Sequence, residues 1–350
     1  METTTIEALI ALNNRFYTEH AASFSATRSA PWNGWRKLAQ LLKTQAHDPC
    51  ENPISKQTAS QVSVPIRSDD RAGGAPGPET NGPGSAPASP WGALDPRVLD
   101  LACGNMRFEQ FLSAEFPSTA FAFHAVDSCT ALAPTEALAQ VGVTYHEVDV
   151  LQRALAGRPA FEDVPACSLS VCFGFMHHIP SYDLRQRILA ELVDRTSPHG
   201  LIVVSFWQFM HDERLARKAR RADQLARGDT TRSSSDSSNS AAFQDTHLPR
   251  DLCVREIEDR RINESPTFPA IDLTQLDQHD HFLGWQSDPS PLRYCHHFTE
   301  SEIDALVASV APRAQEVARF SADGASDDLN RYVVLKRVDC GGDGVASGLR

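Results

Sequence analysis

In the segment Arg97-Val-Leu-Asp-Leu-Ala-Cys-Gly-Asn-Met-Arg-Phe108 an acid, Asp100, is followed by the small residues Ala102, Cys103 and Gly104 and then by Asn105. Small side chains let a backbone approach a ligand closely, and free N–H groups at a helix start receive an anionic end such as a carboxylate. A second acid, Asp127, closes the next apolar run, where βαβ folds place the group that accepts hydrogen bonds from ribose hydroxyls. A third, Asp149, closes Val143-Thr-Tyr-His-Glu-Val-Asp149. These residue types describe a nucleotide-binding turn; the alternative is a core turn that holds no ligand. Arg28 lies between small polar residues in Phe24-Ser-Ala-Thr-Arg-Ser-Ala-Pro-Trp32, a setting that suits a bidentate grip on a carboxylate. His177 and His178 are adjacent, and on an extended chain their side chains point to opposite faces, so no metal site is expected there.

The elements that must carry these residues are legible from periodicity. Around Gly104 a short apolar run, a tight turn and an amphipathic pattern from Phe108 read as strand, turn and helix. Ala120-Phe-Ala-Phe-His-Ala-Val126 is a buried strand, and the segment ending at Asp149 is a third. Ser168-Leu-Ser-Val-Cys-Phe-Gly-Phe175, which contains Gly174, is nearly all apolar, as expected of a central parallel strand covered on both faces. His177 and His178 follow at its C-terminal edge, where open α/β sheets bind ligands. Leu184, Ile188, Leu189, Leu192 and Val193 form a helical stripe ended by Ser197-Pro-His-Gly200, and Leu201–Trp207 is the fifth strand. Thr299-Glu-Ser-Glu302 is a capping box for a helix carrying Ile303, Leu306, Val307 and Val310. Strands around Glu316–Ser321 and Arg331–Arg337 flank Asp323-Gly, which predicts a hairpin and an antiparallel seventh strand. The expected fold class is α/β, a seven-stranded mostly parallel sheet with an antiparallel terminal strand and helices on both faces.

The domain plan follows. Ile6, Leu9, Ile10, Phe16 and Tyr17, then Trp35, Leu38, Leu41 and Leu42, predict two short helices in an N-terminal cap over 1–44. Pro, Gly, Ser and Ala dominate 45–95, which reads as a disordered insertion. The binding core spans 96–210. A basic helix with Arg214, Arg217, Lys218, Arg220, Arg221 and Arg227 opens a partly disordered stretch at 211–290. It is either a solvated face or an arm that contacts phosphates, an arm weakened by four acids among the arginines. The rest of the core covers 291–338, and 339–350 is a tail.

The chain has 350 residues, 41% of them hydrophobic, enough for a sizeable core. A net charge of −12 excludes a surface that coats nucleic acid generally, although a focal RNA contact is compatible with it; no DNA partner is expected. The eight cysteines are scattered, without C-x-x-C, and suit reduced core thiols. The N-terminal residues lack a basic and apolar leader pattern and no run reaches membrane-spanning length, so a cytoplasmic protein with no membrane contact is expected.

A dinucleotide fold wants G-x-G-x-x-G, whereas Ala102, Gly104 and Met106 stand here, so a pyrophosphate cradle is not expected. The turn instead resembles the first motif of class I S-adenosylmethionine (SAM) methyltransferases. More narrowly, the chain is similar to the enzymes that esterify a carboxymethyl group on the wobble uridine of tRNA. The matching residues are Phe16-Tyr17, Phe24-Ser25-Ala26-Thr27-Arg28, Pro31-Trp32, Asp100 with Cys103-Gly104-Asn105 and Arg107, His177-His178, and Tyr294 with His296 or His297 and Phe298. The resemblance implies SAM as cofactor, held by Asp100, Ala102, Cys103, Gly104, Asn105, Asp127, Asp149 and Gly174. Asp100 would position its amino-acid half and Asp149 its adenine amine. It further implies that Arg28 grips the acceptor carboxylate while His178 and Tyr294 shape the pocket. The implied partner is tRNA, and eukaryotic members of that family work with a small zinc-binding activator subunit. Three departures stand out: Ala102 and Met106 replace glycines, and Pro198-His-Gly200 replaces Pro-Gly-Gly. Met106 either crowds the cofactor or points into the core. Two other readings stay open, a small-molecule methyltransferase with a helical lid and an inactive scaffold of the same fold.

Overall fold

Two helices precede the first strand: α1 (Thr3–Ala26) and α2 (Asn33–Gln45). The computed structural model describes residues 1–45, 96–134, 142–228, 271–286 and 288–339. The expected insertion over 45–95, the serine-rich stretch after Arg232 and the tail from 340 fall almost wholly outside the described residues. The first helix is longer than the short one expected, running 24 residues without a break.

The apolar runs become strands. β1 (Arg97–Leu101), β2 (Ala122–Asp127), β3 (Val143–Glu147), β4 (Cys167–Cys172) and β5 (Thr196–Trp207) pair in parallel, with α3 (Arg107–Glu115), α4 (Val150–Leu155) and α5 (Tyr182–Arg195) between them. Next come α6 (Glu213–Ala226), β6 (Asp280–Trp285), β7 (Asp288–His296), α7 (Glu300–Val310), β8 (Ala314–Ala322) and β9 (Asn330–Arg337). The seven-stranded sheet has the order β3-β2-β1-β4-β5-β9-β8, and β9 runs antiparallel to both neighbours. This is the mostly parallel sheet with a terminal hairpin that the sequence predicts. All six residues of β4 are buried, as its central place requires.

Side chains alternate across the sheet and divide the core into two layers. Leu99, Leu101, Ile202 and Val204 meet Ile188, Leu189 and Leu192 of α5 and Ile303, Leu306 and Val310 of α7. On the opposite face Val98, Leu169, Val171 and Val203 meet Phe108, Phe111 and Leu112 of α3 and Trp35 and Leu38 of α2. Half of the expected capping box forms: the Thr299 hydroxyl accepts from the Glu302 N–H at 3.3 Å, while the Glu302 carboxylate turns to His296 and Arg185.

The structure departs from expectation after residue 270. β6 and β7 form a separate antiparallel ribbon. The sequence reading put 211–290 in a basic helix and disorder, and saw Arg293–Phe298 only as a lead into α7. Two prolines in Asp-Pro-Ser-Pro-Leu-Arg-Tyr-Cys-His hide β7, since proline argues against a strand interior. The ribbon packs between α1 and α6: Phe282, Leu292 and Tyr294 meet Leu9 and Leu12, while Leu283 and Cys295 meet Ala219. Among the described residues, no helix is long and apolar enough to cross a membrane.

Candidate functional site

The C-terminal ends of β1, β2 and β4 open into a cavity of about 790 Å³, roofed by α1 and by the segment that joins it to α2. Its wall includes Arg28, Asp100, Ala102, Cys103, Gly104, Asn105, Asp127, Asp149, Gly174 and His178. Ten of the eleven residues singled out from sequence therefore meet there, and Tyr294 does not.

The turn after β1 places three residues in the left-handed region, Ala102 at φ +60°, Gly104 at +55° and Met106 at +54°. Only the middle one is the glycine that this conformation favours. The Ala102 N–H donates to the Val126 carbonyl at 2.7 Å, which pulls the turn against β2. A Cβ built on Gly104 would meet nothing within 4 Å, so the backbone there opens onto the cavity. Met106 is 1% exposed and packs with Cys103 and Ala125, off the cavity wall. Of the two courses open to its side chain, the structure takes the inward one.

Asp127 holds the turn in place. Its Oδ2 accepts from the Gly104 N–H at 2.9 Å and its Oδ1 from the Cys129 N–H at 2.8 Å. Burial raises its carboxyl above the usual range, against the pull of these N–H donors. Asp149 lies just past β3 and caps α4, accepting from Leu151 and Gln152, while its Oδ2 takes the Asn14 amide at 2.9 Å. The acid expected at a strand end thus joins α4 to the roof. Asp100 is buried, and its carboxyl is pushed well above the ordinary range by burial, then by Glu109 and Asp127.

The roof is tied to the turn. The Asn105 amide donates to the Arg28 carbonyl at 3.4 Å, and Arg107 donates to Asn105 Oδ1 at 3.0 Å and to the Ala30 carbonyl at 2.7 Å. Trp32 lies over Gly174, where a Cβ would stand 2.9 Å from the indole, at a φ of +69°.

At the other end stands a cationic and aromatic wall. The Arg28 guanidinium sits 3.5 Å above the Phe24 ring and 5.6 Å from Trp285. Arg293, on β7, is 5.6 Å from the same indole and 5.2 Å from Phe16. Burial first, with Arg293 and Arg107 contributing, lowers Arg28 to about 10. Among the described residues neither arginine forms a salt bridge, and Arg293 Nε is buried without a partner. Arg293, Tyr17, Asn13 and His177 also line the cavity and were missed as site residues. Arg293 carried a signal, since it directly precedes Tyr294 in the matched segment, but nothing local joins β7 to α1.

His178 Nδ1 donates to the Tyr294 carbonyl at 2.9 Å, and its Nε2, 2.7 Å from the Tyr17 hydroxyl, accepts from it in the neutral ring that burial favours. Burial first, and then Arg293, lowers it to about 3. The Asn13 side chain accepts from the Tyr294 N–H at 2.8 Å and donates to the Tyr294 carbonyl at 3.2 Å. Tyr294 therefore serves through its backbone. Its own ring is fully buried in the α1 and β6 cluster and its hydroxyl donates to Asp280 Oδ1 at 2.6 Å.

The two histidines stand in a 3-10 turn, Met176–His178, not on an extended chain, and their rings lie 4.0 Å apart. Ligand atoms of His177, His178 and Cys295 fall within 4.8 Å of one another. Both His178 nitrogens are already used, burial raises the Cys295 thiol to about 11, and Arg293 stands beside them. A cation there would break those bonds and face a guanidinium, so we assign no metal.

No protein-family profile matches the chain, and no curated protein matches it in sequence. Solved structures of similar fold include a SAM-dependent methyltransferase from Methanosarcina mazei, 12% identical, with 70% of this chain and 93% of that one covered and a TM-score of 0.44. CalS10, an amino pentose methyltransferase from Micromonospora echinaspora, is 12% identical with 91% and 95% covered and a TM-score of 0.42. The N-methyltransferase NodS from Bradyrhizobium japonicum is 10% identical with 69% and 77% covered and a TM-score of 0.36. Likeness at this level adds no argument about cofactor, acceptor or residues, and the fold stands on the strand order above.

Proposed function

We propose that this protein is a SAM-dependent methyltransferase acting on a carboxylate acceptor of the carboxymethyl type, carried by tRNA. The observation behind this reading is the polarity of the cavity: acids and an open glycine turn at one end, two arginines without described carboxylate partners at the other. The acidic end fits a ligand with an ammonium and ribose hydroxyls. Asp100 would face the amino-acid end, Asp127 and the Gly104 turn the ribose, and Asp149 the adenine side. When bound, SAM supplies a methyl group activated by its sulfonium.

The chain's own work is positional. A carboxylate is already ionised at neutral pH, so it would attack the sulfonium methyl directly with the neutral thioether as leaving group, and no residue of the chain would need to take a proton. Arg28 and Arg293, each 5.6 Å from the Trp285 ring, clamp the acceptor together. Neutral His178, fixed by Tyr17 and the β7 backbone, keeps that wall from gaining charge. The α1 roof and Trp32 exclude water, and orientation in such a site can account for several orders of magnitude in rate.

Support for an RNA acceptor comes from α6. Arg214, Arg217, Lys218, Arg220, Arg221 and Arg227 are exposed, while Ala216, Ala219 and Ala222 face the ribbon. Two of the acids that seemed to weaken this face are turned to structural use: Asp212 caps the helix, and Asp223 accepts from the Phe282 N–H and pairs with His281. Lys218 donates to the Gln286 carbonyl, next to Trp285 of the clamp. A small-molecule acceptor is the second reading, favoured by how fully α1 covers the cavity. Labelled SAM offered with total tRNA and, separately, with a metabolite extract distinguishes them. The proposal expects label in tRNA; label in the extract alone overturns the RNA acceptor. In the same assay Arg28→Ala should abolish turnover and leave SAM binding intact, and unchanged turnover removes Arg28 from the clamp.

A further inference from the structure

Behind the cofactor wall lies a group that the chemistry above does not use. Glu109, in the first turn of α3, is 1% exposed, and both of its carboxyl oxygens are sealed from solvent. Neither oxygen receives a hydrogen bond from a described donor side chain; the group it meets is the Asp100 carboxyl. Asp100 reaches the cavity and Glu109 stands behind it. Among the described residues, Asp127 from β2, Cys103 from the turn and Cys172 from β4 are the other titratable groups around the pair, and none brings a positive charge. Two buried carboxyls that meet without another described donor side chain hold one proton between them, because two buried carboxylates side by side repel.

We propose that Asp100 and Glu109 form a single proton-sharing unit that exchanges its proton for the ammonium of the cofactor's amino-acid end. Glu109 is a positioning residue that acts through Asp100. The inference rests on the cofactor reading given above. A proton and an ammonium each bring one positive charge to the same desolvated site, so the pair accepts one or the other. Burial is the chief cause that raises both carboxyls of the pair, Glu109 to about 7 and Asp100 well above its ordinary range, so the pair keeps its shared proton up to about pH 7. Below that pH the ligand must displace a proton, and linkage then weakens binding by up to about tenfold per pH unit. Glu109→Gln keeps the shape, removes the carboxyl that shares the proton and puts a hydrogen-bond donor against Asp100, which lowers the Asp100 carboxyl against the pull of burial.

The test is titration calorimetry of the full chain with SAM at pH 5.5, 6 and 7, in two buffers of different ionisation heat. The wild-type protein is expected to release close to one proton at pH 6, with a Kd up to about tenfold weaker than at pH 7. The E109Q protein should release less proton than wild type at pH 6, with a Kd that changes less than the wild-type value over that range. A wild-type Kd that is flat with pH and equal heats in both buffers would overturn the proposal, as would an undiminished release from E109Q. Thermal melts without ligand check that E109Q is folded, and melts that vary with pH as wild type does also overturn it. Failure of wild type to bind SAM at any pH, with a normal melt, overturns the cofactor reading and this inference with it.

Discussion

Arg28 and Arg293 are far apart in the chain and meet at one indole, each 5.6 Å from the Trp285 ring. A guanidinium clamp distributes its hold over two forks, so either arginine alone leaves a weak grip. Arg293→Lys keeps the charge and loses the fork; kcat/KM should fall about tenfold to a hundredfold, the scale of one charge-assisted hydrogen bond, while SAM affinity measured by calorimetry stays put. Ala102 gives a second expectation at this scale. A left-handed alanine costs about 1–2 kcal/mol, and the added freedom of glycine in the unfolded chain offsets about half of that. Ala102→Gly should therefore stabilise the protein by about 0.5–1 kcal/mol in urea unfolding. Destabilisation would mean that the Cβ makes contacts worth more than the strain.

Asn13 shows how an element is bound to the site. It lies on the buried face of α1 and pairs with the backbone of Tyr294 in both directions, so helix, ribbon and the His178 ring form one unit. Asn13→Ala leaves a buried N–H and a carbonyl short of partners, at about 1–3 kcal/mol for each group left unsatisfied. The expected outcome is a lower midpoint in chemical unfolding and faster hydrogen exchange at Tyr294. Unaltered exchange there would show that α1 is held by its apolar stripe alone. At this scale the sequence was readable where the signal is local. The β1 turn, the α5 stripe and the α7 cap each lie within a dozen residues. The β6 and β7 ribbon was not readable, because its strands are stabilised by α1 and α6 rather than by their own pattern, and its prolines argue the other way. The same dependence misplaced Tyr294, whose type suits a pocket but whose position on the ribbon turns its ring toward Leu9 and Leu12.

Over the whole molecule two buried groups give stability opposite dependences on pH. Glu109 is raised from 4.5 to about 7, so its contribution is full below 4.5 and is lost as pH rises toward 7, about 3 kcal/mol at most. His178 is lowered from 6.5 to about 3, so the protein loses stability as pH falls from 6.5 toward 3. The two slopes oppose each other where both groups titrate, so without ligand E109Q should gain more stability than wild type as pH rises from 5 to 6.5, and His178→Gln should lose more over the same range, both read from thermal midpoints. Identical slopes in wild type and variants would place the titration elsewhere. The sequence by itself determined the parallel sheet, its closing hairpin, the turn at Gly104 and the acids that end β1 and β2. Those features are encoded in contiguous windows, where apolar period and small residues leave the backbone little choice. Only the tertiary structure decided that Met106 turns inward, that Arg293 joins Arg28, and that Glu109 stands behind Asp100. Each of those depends on which distant surface packs against a given face, and no local pattern carries that information.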